Sequence, residues 1–121
     1  MTDSLRPAVV FGEALCDLYS AIVGVPLERA DTLVSHLGGA PANVAVQMAL
    51  EGRPVELISA IGADPTGDRV VRMLTSHGVG TRHVSRLSGY RTGLTFIEVD
   101  DDGQRTFFPR REGSADGQLR D

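Results

Sequence analysis

Residues 37–52 read LGGAPANVAVQMALEG, and the fold turns on this stretch. A glycine pair, Gly38 and Gly39, stands before Pro41, and proline suits the first position of a helix. Val44, Met48 and the alanines then supply an apolar face until Gly52 ends the run. The spacing predicts a helix from Pro41, entered through a corner whose backbone can be approached closely. Asn43 falls in the first turn, where its amide both donates and accepts. The unpaired N–H groups of that turn can hold oxygen atoms. Such a corner suits a polyhydroxylated ligand; a tight strand-to-helix turn with an ordinary cap reads equally well from these residues alone.

Outward from the corner, strands and helices alternate. Upstream, Ala8–Phe11 (AVVF) reads as a buried first strand before Gly12. Ala14–Ile22 has β character, GVPLERAD is an exposed connection, and Thr32–Leu37 is an extended approach to the glycine pair. Downstream, Val55–Gly62 returns as a strand. ADPTGDRVVRMLTSHG follows as a helix, with Asp64 as N-cap, Pro65 in the first turn, Gly78 as the stop, and Val70, Val71 and Leu74 as the buried stripe. A short VGTRHVSRL segment leads to a strand over Thr92–Asp100, a turn at Asp100–Gly103 and a returning strand over Gln104–Phe108. Strands separated by helices predict an α/β fold with a mainly parallel sheet, the hairpin being an antiparallel addition. The closing RREGSADGQLRD is polar and offers no element to close the sheet, so the chain reads as interrupted.

Composition narrows the chemistry. The chain has 121 residues, enough for one domain with a modest core, and its net charge of −4 predicts no nucleic-acid partner and no anionic membrane surface. The N-terminal apolar run is too short for a signal peptide or a membrane span. The lone cysteine, Cys16, fits a reducing compartment, and a cytoplasmic location is expected. All twelve basic residues are arginine. Without lysine there is no Walker A loop, no protein-kinase strand lysine and no Schiff base. His36, His77 and His83 lack the spacing of a metal site, and GGAPAN is not a dinucleotide fingerprint. The acidic run Asp100–Asp102 reads as a solvated hairpin tip.

The stretch GGAPANVAVQMALEGRPVELISAIG resembles the N-terminal signature of the ribokinase-like (PfkB) carbohydrate kinases in its glycine pair, Asn43, Gly52 and Gly62. GEALCDLYS, IGADPTGDRVVRMLTSHGV and RTGLTFIEVDDDGQRTFF resemble further segments of that family in the same order. The GEALxD opening and REGSAD are most similar to fructokinases and 2-keto-3-deoxygluconate kinases. The resemblance implies a ribokinase-like fold in which a small β lid, here near residues 14–37 and 92–108, covers a sugar at the sheet's edge. It implies that Asp17, Gly38, Gly39 and Asn43 hold sugar hydroxyls, that Phe96 covers the sugar from a lid strand, and that Arg111 follows the lid as in the fructokinase-like branch.

The resemblance also implies what this chain lacks. Members of the family are typically about twice this length or more, and their second half supplies a glycine-rich anion hole, a catalytic aspartate and most of the ATP site. No GAGD-like segment occurs here. ATP and Mg²⁺ are therefore expected partners of a complete enzyme, no catalytic residue is assigned in this chain, and the missing C-terminal half is its expected complement. Two readings stand: the sugar-binding N-terminal portion of an ATP-dependent sugar kinase, or a stand-alone, non-catalytic sugar-binding or dimerisation module. Exposed lid-strand edges would serve a homodimer in either case.

Overall fold

The computed structural model describes residues 6–119, which form two sheets. The body is a parallel sheet of β1 (Ala8–Phe11), β4 (Val55–Gly62) and β5 (Val84–Leu87), in the order β1-β4-β5. Helices α1 (Ala40–Leu50) and α2 (Pro65–Ser76) carry the chain from one body strand to the next. The second sheet has the order β3-β2-β6-β7, built from β2 (Leu15–Ser20), β3 (Leu33–Gly38), β6 (Leu94–Val99) and β7 (Arg105–Arg110). Within it β2 and β6 run parallel, while β3 and β7 flank them antiparallel. The hairpin is therefore part of the separate lid sheet that the family resemblance implied, not the addition to the body that the residue pattern alone suggested.

The core lies between the body sheet and its helices. Leu57, Ile61, Val70 and Leu74 are fully buried there, with Ala42 and Ala45 from α1 and Ala14 and Cys16 from the start of the lid. Two expectations need correction at this level. The buried stripe of α1 is Ala42 and Ala45, small residues that let the helix approach the sheet, while Val44 is 52% exposed. The first strand is not buried on both faces. Ala8 and Val10 pack on the core, but Val9 is 62% and Phe11 47% exposed, because both helices lie on the other side of the sheet.

Three elements lie where none was expected, one of them a 3-10 turn over Leu27–Arg29 in the GVPLERAD connection. The VGTRHVSRL segment contains β5, whose four residues include two exposed side chains and so lack the apolar pattern of a core strand. The closing polar segment contains a 3-10 turn over Ala115–Gln118, which packs against β4 and buries Ser114, Ala115 and Asp116.

The helix stops follow their sequence signals. Asp64 caps α2 by accepting from Gly67 N at 2.7 Å, and Gly78 ends it with a positive φ of 82°. At the hairpin tip, Asp100 Oδ1 accepts from the backbone of Asp102 and Gln104, each at 2.9 Å, so its carboxylate builds the turn. Among the described residues no helix is long and apolar enough to cross a membrane.

Candidate functional site

The glycine pair lies where β3 leaves the lid and α1 begins in the body. Gly38 is the last residue of β3 and Gly39 is the N-cap of α1, with φ 95° and ψ 125°. No side chain caps this helix. The neighbouring crossing, from β1 into β2, runs against it. A Cβ on Gly39 would lie 2.6 Å from the carbonyl oxygen of Glu13, and one on Gly12 would lie 2.4 Å from Pro41 Cγ. Neither glycine can take a side chain without one of the two segments moving.

Gly38 serves a different purpose. Its φ is not in the left-handed region, but a Cβ there would lie 2.3–2.6 Å from all three atoms of the Asp17 carboxyl group. The Asp17 carboxylate therefore occupies the space that a side chain at position 38 would take. Asp17 stands on β2 between His36 of β3 and Thr95 of β6, and Thr95 is buried. Burial pushes the Asp17 carboxyl above its usual range, while His36 and Arg105 act the other way by favouring the charged form. An acid held against its solvation in a glycine-lined corner is a common signature of a working site.

Asn43 is exposed in the first turn of α1, and its side chain makes no hydrogen bond among the described residues. Its backbone N–H donates to Gly39 O at 3.0 Å, which starts the helix. The amide is thus free for a ligand.

Arg111, placed by resemblance alone, sits in a constellation that sequence reasoning missed. Its Nη2 donates to Glu13 Oε2 at 2.7 Å and also to Asp116 Oδ2. Asp116 is buried, and its other oxygen accepts from Ser114 Oγ at 2.6 Å. The Asp116 hydrogen bond, ahead of the opposing effect of burial and the bond to Glu13, holds the guanidinium firmly protonated. Nε and Nη1 of Arg111 have no partner among the described residues, so they can serve another molecule. Glu13 and Asp116 lie 103 positions apart in the sequence. The only signal for them was their place in the quoted segments GEALCD and REGSAD.

Phe96 is not brought to this corner. The register pairs it with Leu18 and Phe108, whereas Asp17 pairs with Thr95, so the two side chains leave the lid on opposite faces. Phe96 instead lines a hollow of about 630 Å³ with Pro26, Leu27, Leu33, Glu98 and Phe108. On the Asp17 face, by contrast, Tyr19 meets His36 edge to face at 5.2 Å and Arg105 stands 5.9 Å over the Tyr19 ring. Among the described residues no three His, Cys, Asp or Glu side chains are grouped to hold a metal.

Known proteins share this fold and much of its sequence. The family model described as pfkB family carbohydrate kinase matches residues 6–120. The chain is 36% identical over 112 residues to a probable fructokinase-4 of Arabidopsis thaliana, covering 93% of this chain and 34% of that protein. It is 32% identical over 120 residues to a 5-dehydro-2-deoxygluconokinase of Clostridium tetani, covering 97% and 35%. Among solved structures, a PfkB protein from a Polaromonas species superposes with a TM-score of 0.86 at 28% identity, over 93% of this chain and 38% of that one. A Xylella fastidiosa fructokinase with bound ATP gives 0.78 at 33% identity, over 96% and 36%. The chain spans about a third of the length of the curated relatives it matches. Since the match runs through both sheets and the corner between them, the chain belongs to the pfkB family of carbohydrate kinases.

Proposed function

We propose that these residues form the acceptor seat of an ATP-dependent sugar kinase, and that the sugar is a small neutral ketose of the fructose type. The observation that carries the reading is the Asp17 carboxylate lying in the space left by Gly38, beside the uncapped first turn of α1. Asp17 accepts from sugar hydroxyls, Asn43 donates and accepts, and the bare backbone at Gly38 and Gly39 lets the ring approach. Nε and Nη1 of Arg111 donate to sugar oxygens from the far side of the crossing. A sugar hydroxyl buried here without these partners would lose about 1–3 kcal/mol.

Charge favours a neutral sugar over a sugar acid such as 2-keto-3-deoxygluconate. Glu13 and Asp116 already share the single Arg111 charge, so that guanidinium is outnumbered by its own carboxylates. An added substrate carboxylate would meet an excess of its own sign. Arg105, on the same lid face, is stacked over Tyr19.

ATP and Mg²⁺ are assigned to the complete kinase, and none of these residues is given the role of holding them. Bound there, ATP supplies the phosphoryl group; the residues of this chain orient the hydroxyl that receives it. The reading places the protein in the cytoplasm with its sugar. Ligand-observed NMR of the chain with fructose tests the seat. Saturation transfer to fructose, lost in Asp17→Asn and weaker for 2-keto-3-deoxygluconate, is the expected result. Equal transfer with Asp17→Asn would remove Asp17 from the site.

A further inference from the structure

We propose that Asp64 and Thr92 form the joint that seats the lid sheet on the body, and that they are positioning residues for the Asp17 corner. The inference rests on the sugar-site reading only for its functional consequence. Asp64 belongs to the body, as the N-cap of α2 directly after β4. Thr92 belongs to the lid, two residues before β6 begins.

Their contacts saturate each other. Thr92 N donates to Asp64 Oδ2 at 3.1 Å and Thr92 Oγ1 donates to Asp64 Oδ1 at 2.8 Å. The same hydroxyl accepts from Gly62 N at 2.9 Å, so the backbone of β4 closes the ring of bonds. Asp64 Oδ1 also takes Gly67 N, the capping bond of α2. One carboxylate thus holds a body helix and a lid strand together, and Thr92 is only 4% exposed.

The surrounding backbone is shaped to this contact. A Cβ on Gly62 would lie 2.7 Å from both Asp64 Oδ2 and Thr92 N, and one on Gly67 would lie 2.8 Å from Thr92 Oγ1. The bare faces of both glycines are what admit Thr92. From there the position passes directly to the corner: Gly93 O accepts from Cys16 N at 3.0 Å, Leu94 pairs with Cys16, and Thr95 pairs with Asp17. Three residues along the chain, at most about 3.3 Å each, put Asp17's strand partner within about 10 Å of the joint. The bonds to Gly67 and Thr92 hold the Asp64 carboxyl below its usual range even though burial, the largest single influence, pushes the other way.

Hydrogen exchange by mass spectrometry on the 121-residue chain tests the joint. Thr92→Val keeps the shape and removes the hydroxyl; Thr92→Ser keeps the hydroxyl. Thr92→Val should speed exchange of the amides of β6 and β2 at least tenfold while those of α1 and of β4 other than Gly62, whose own acceptor is the lost hydroxyl, change less than twofold, and Thr92→Ser should match the wild type. Lid and body amides accelerating by the same factor, or lid amides unchanged, would overturn the proposal. Should Thr92→Val fail to fold, Asp64→Asn carries the same comparison and the same overturning result, since it leaves Gly67 N an acceptor while weakening the hold on Thr92. In the fructose experiment, Thr92→Val should lower affinity about tenfold and Thr92→Ser should restore it. A wild-type chain that binds no fructose counts against the sugar reading, whereas the joint stands or falls on the exchange pattern.

Discussion

Gly38 and Gly39 are neighbours with different physical reasons for being glycine, and substitution should separate them. At Gly39 the positive φ and the Glu13 carbonyl both oppose a side chain. Gly39→Ala should therefore cost at least about 1–2 kcal/mol, the penalty of an L-residue in that region, plus the overlap. At Gly38 the backbone accepts alanine, but the new methyl would displace the Asp17 carboxylate. Gly38→Ala should leave the melting temperature within about 2 °C of the parent and still abolish fructose binding. Thermal melts beside the NMR titration decide it; a Gly38→Ala chain that binds fructose normally would show that Asp17 need not occupy that space. Asp17 itself should carry a stability penalty at neutral pH, because burial raises its folded pKa and the folded chain binds that proton more tightly than the unfolded one. Asp17→Asn should thus melt no lower than wild type at pH 7. Its advantage should shrink as pH falls through the raised value toward the ordinary carboxylate range. Melting curves of both proteins across that window give the sign directly.

The two helices start in opposite ways. α2 has an aspartate cap and α1 has none, although an asparagine lies in its first turn. Asn43→Ala should therefore cost less than about 0.5 kcal/mol, as for an exposed substitution away from any cap. Its effect should appear in sugar affinity. A drop of several degrees in melting temperature with unchanged binding would make Asn43 structural after all. Asp64→Ala should behave in reverse, losing about 1–2 kcal/mol at pH 7. Because hydrogen bonds lower the folded pKa of Asp64, its contribution is present above the ordinary carboxylate range and is lost as pH falls through the lowered value. The gap between the wild type and Asp64→Ala should close in acid, as urea titrations at pH 7 and pH 3 would reveal.

At the scale of the whole molecule, the body sheet is covered on one face only by helices of the described residues. The other face presents Val9 and Phe11 of β1. The lid adds free edges at β3 and β7, and all six residues of β7 are exposed. Exposed apolar faces and unpaired strand edges both favour association. The isolated chain should self-associate in the tens of micromolar range, and Val9→Thr with Phe11→Thr should reduce this while keeping β-compatible residues on the strand. Sedimentation velocity of the two proteins measures it; a monodisperse wild-type monomer at high concentration would refute the expectation.

Local signals determined much of this protein by themselves. Pro41, Pro65, Asp64 and Gly78 mark helix ends because capping and φ preference act within a few residues, and the DDDG turn builds itself from the Asp100 side chain. The glycine pair announced a close approach for the same reason. Tertiary structure decided what approaches. Nothing local tells β1 that both helices will cover one side of the sheet, nor that Val44 will face outward while Ala42 and Ala45 face in. The face on which Phe96 emerges depends on the pairing of β6 with β2, since a shift of one residue exchanges the two faces of a strand. Arg111 reads as a surface residue until the lid returns and sets it between Glu13 and Asp116, far apart along the chain. Charge pairing and strand register depend on distances through space, and those exist only once the chain has closed on itself.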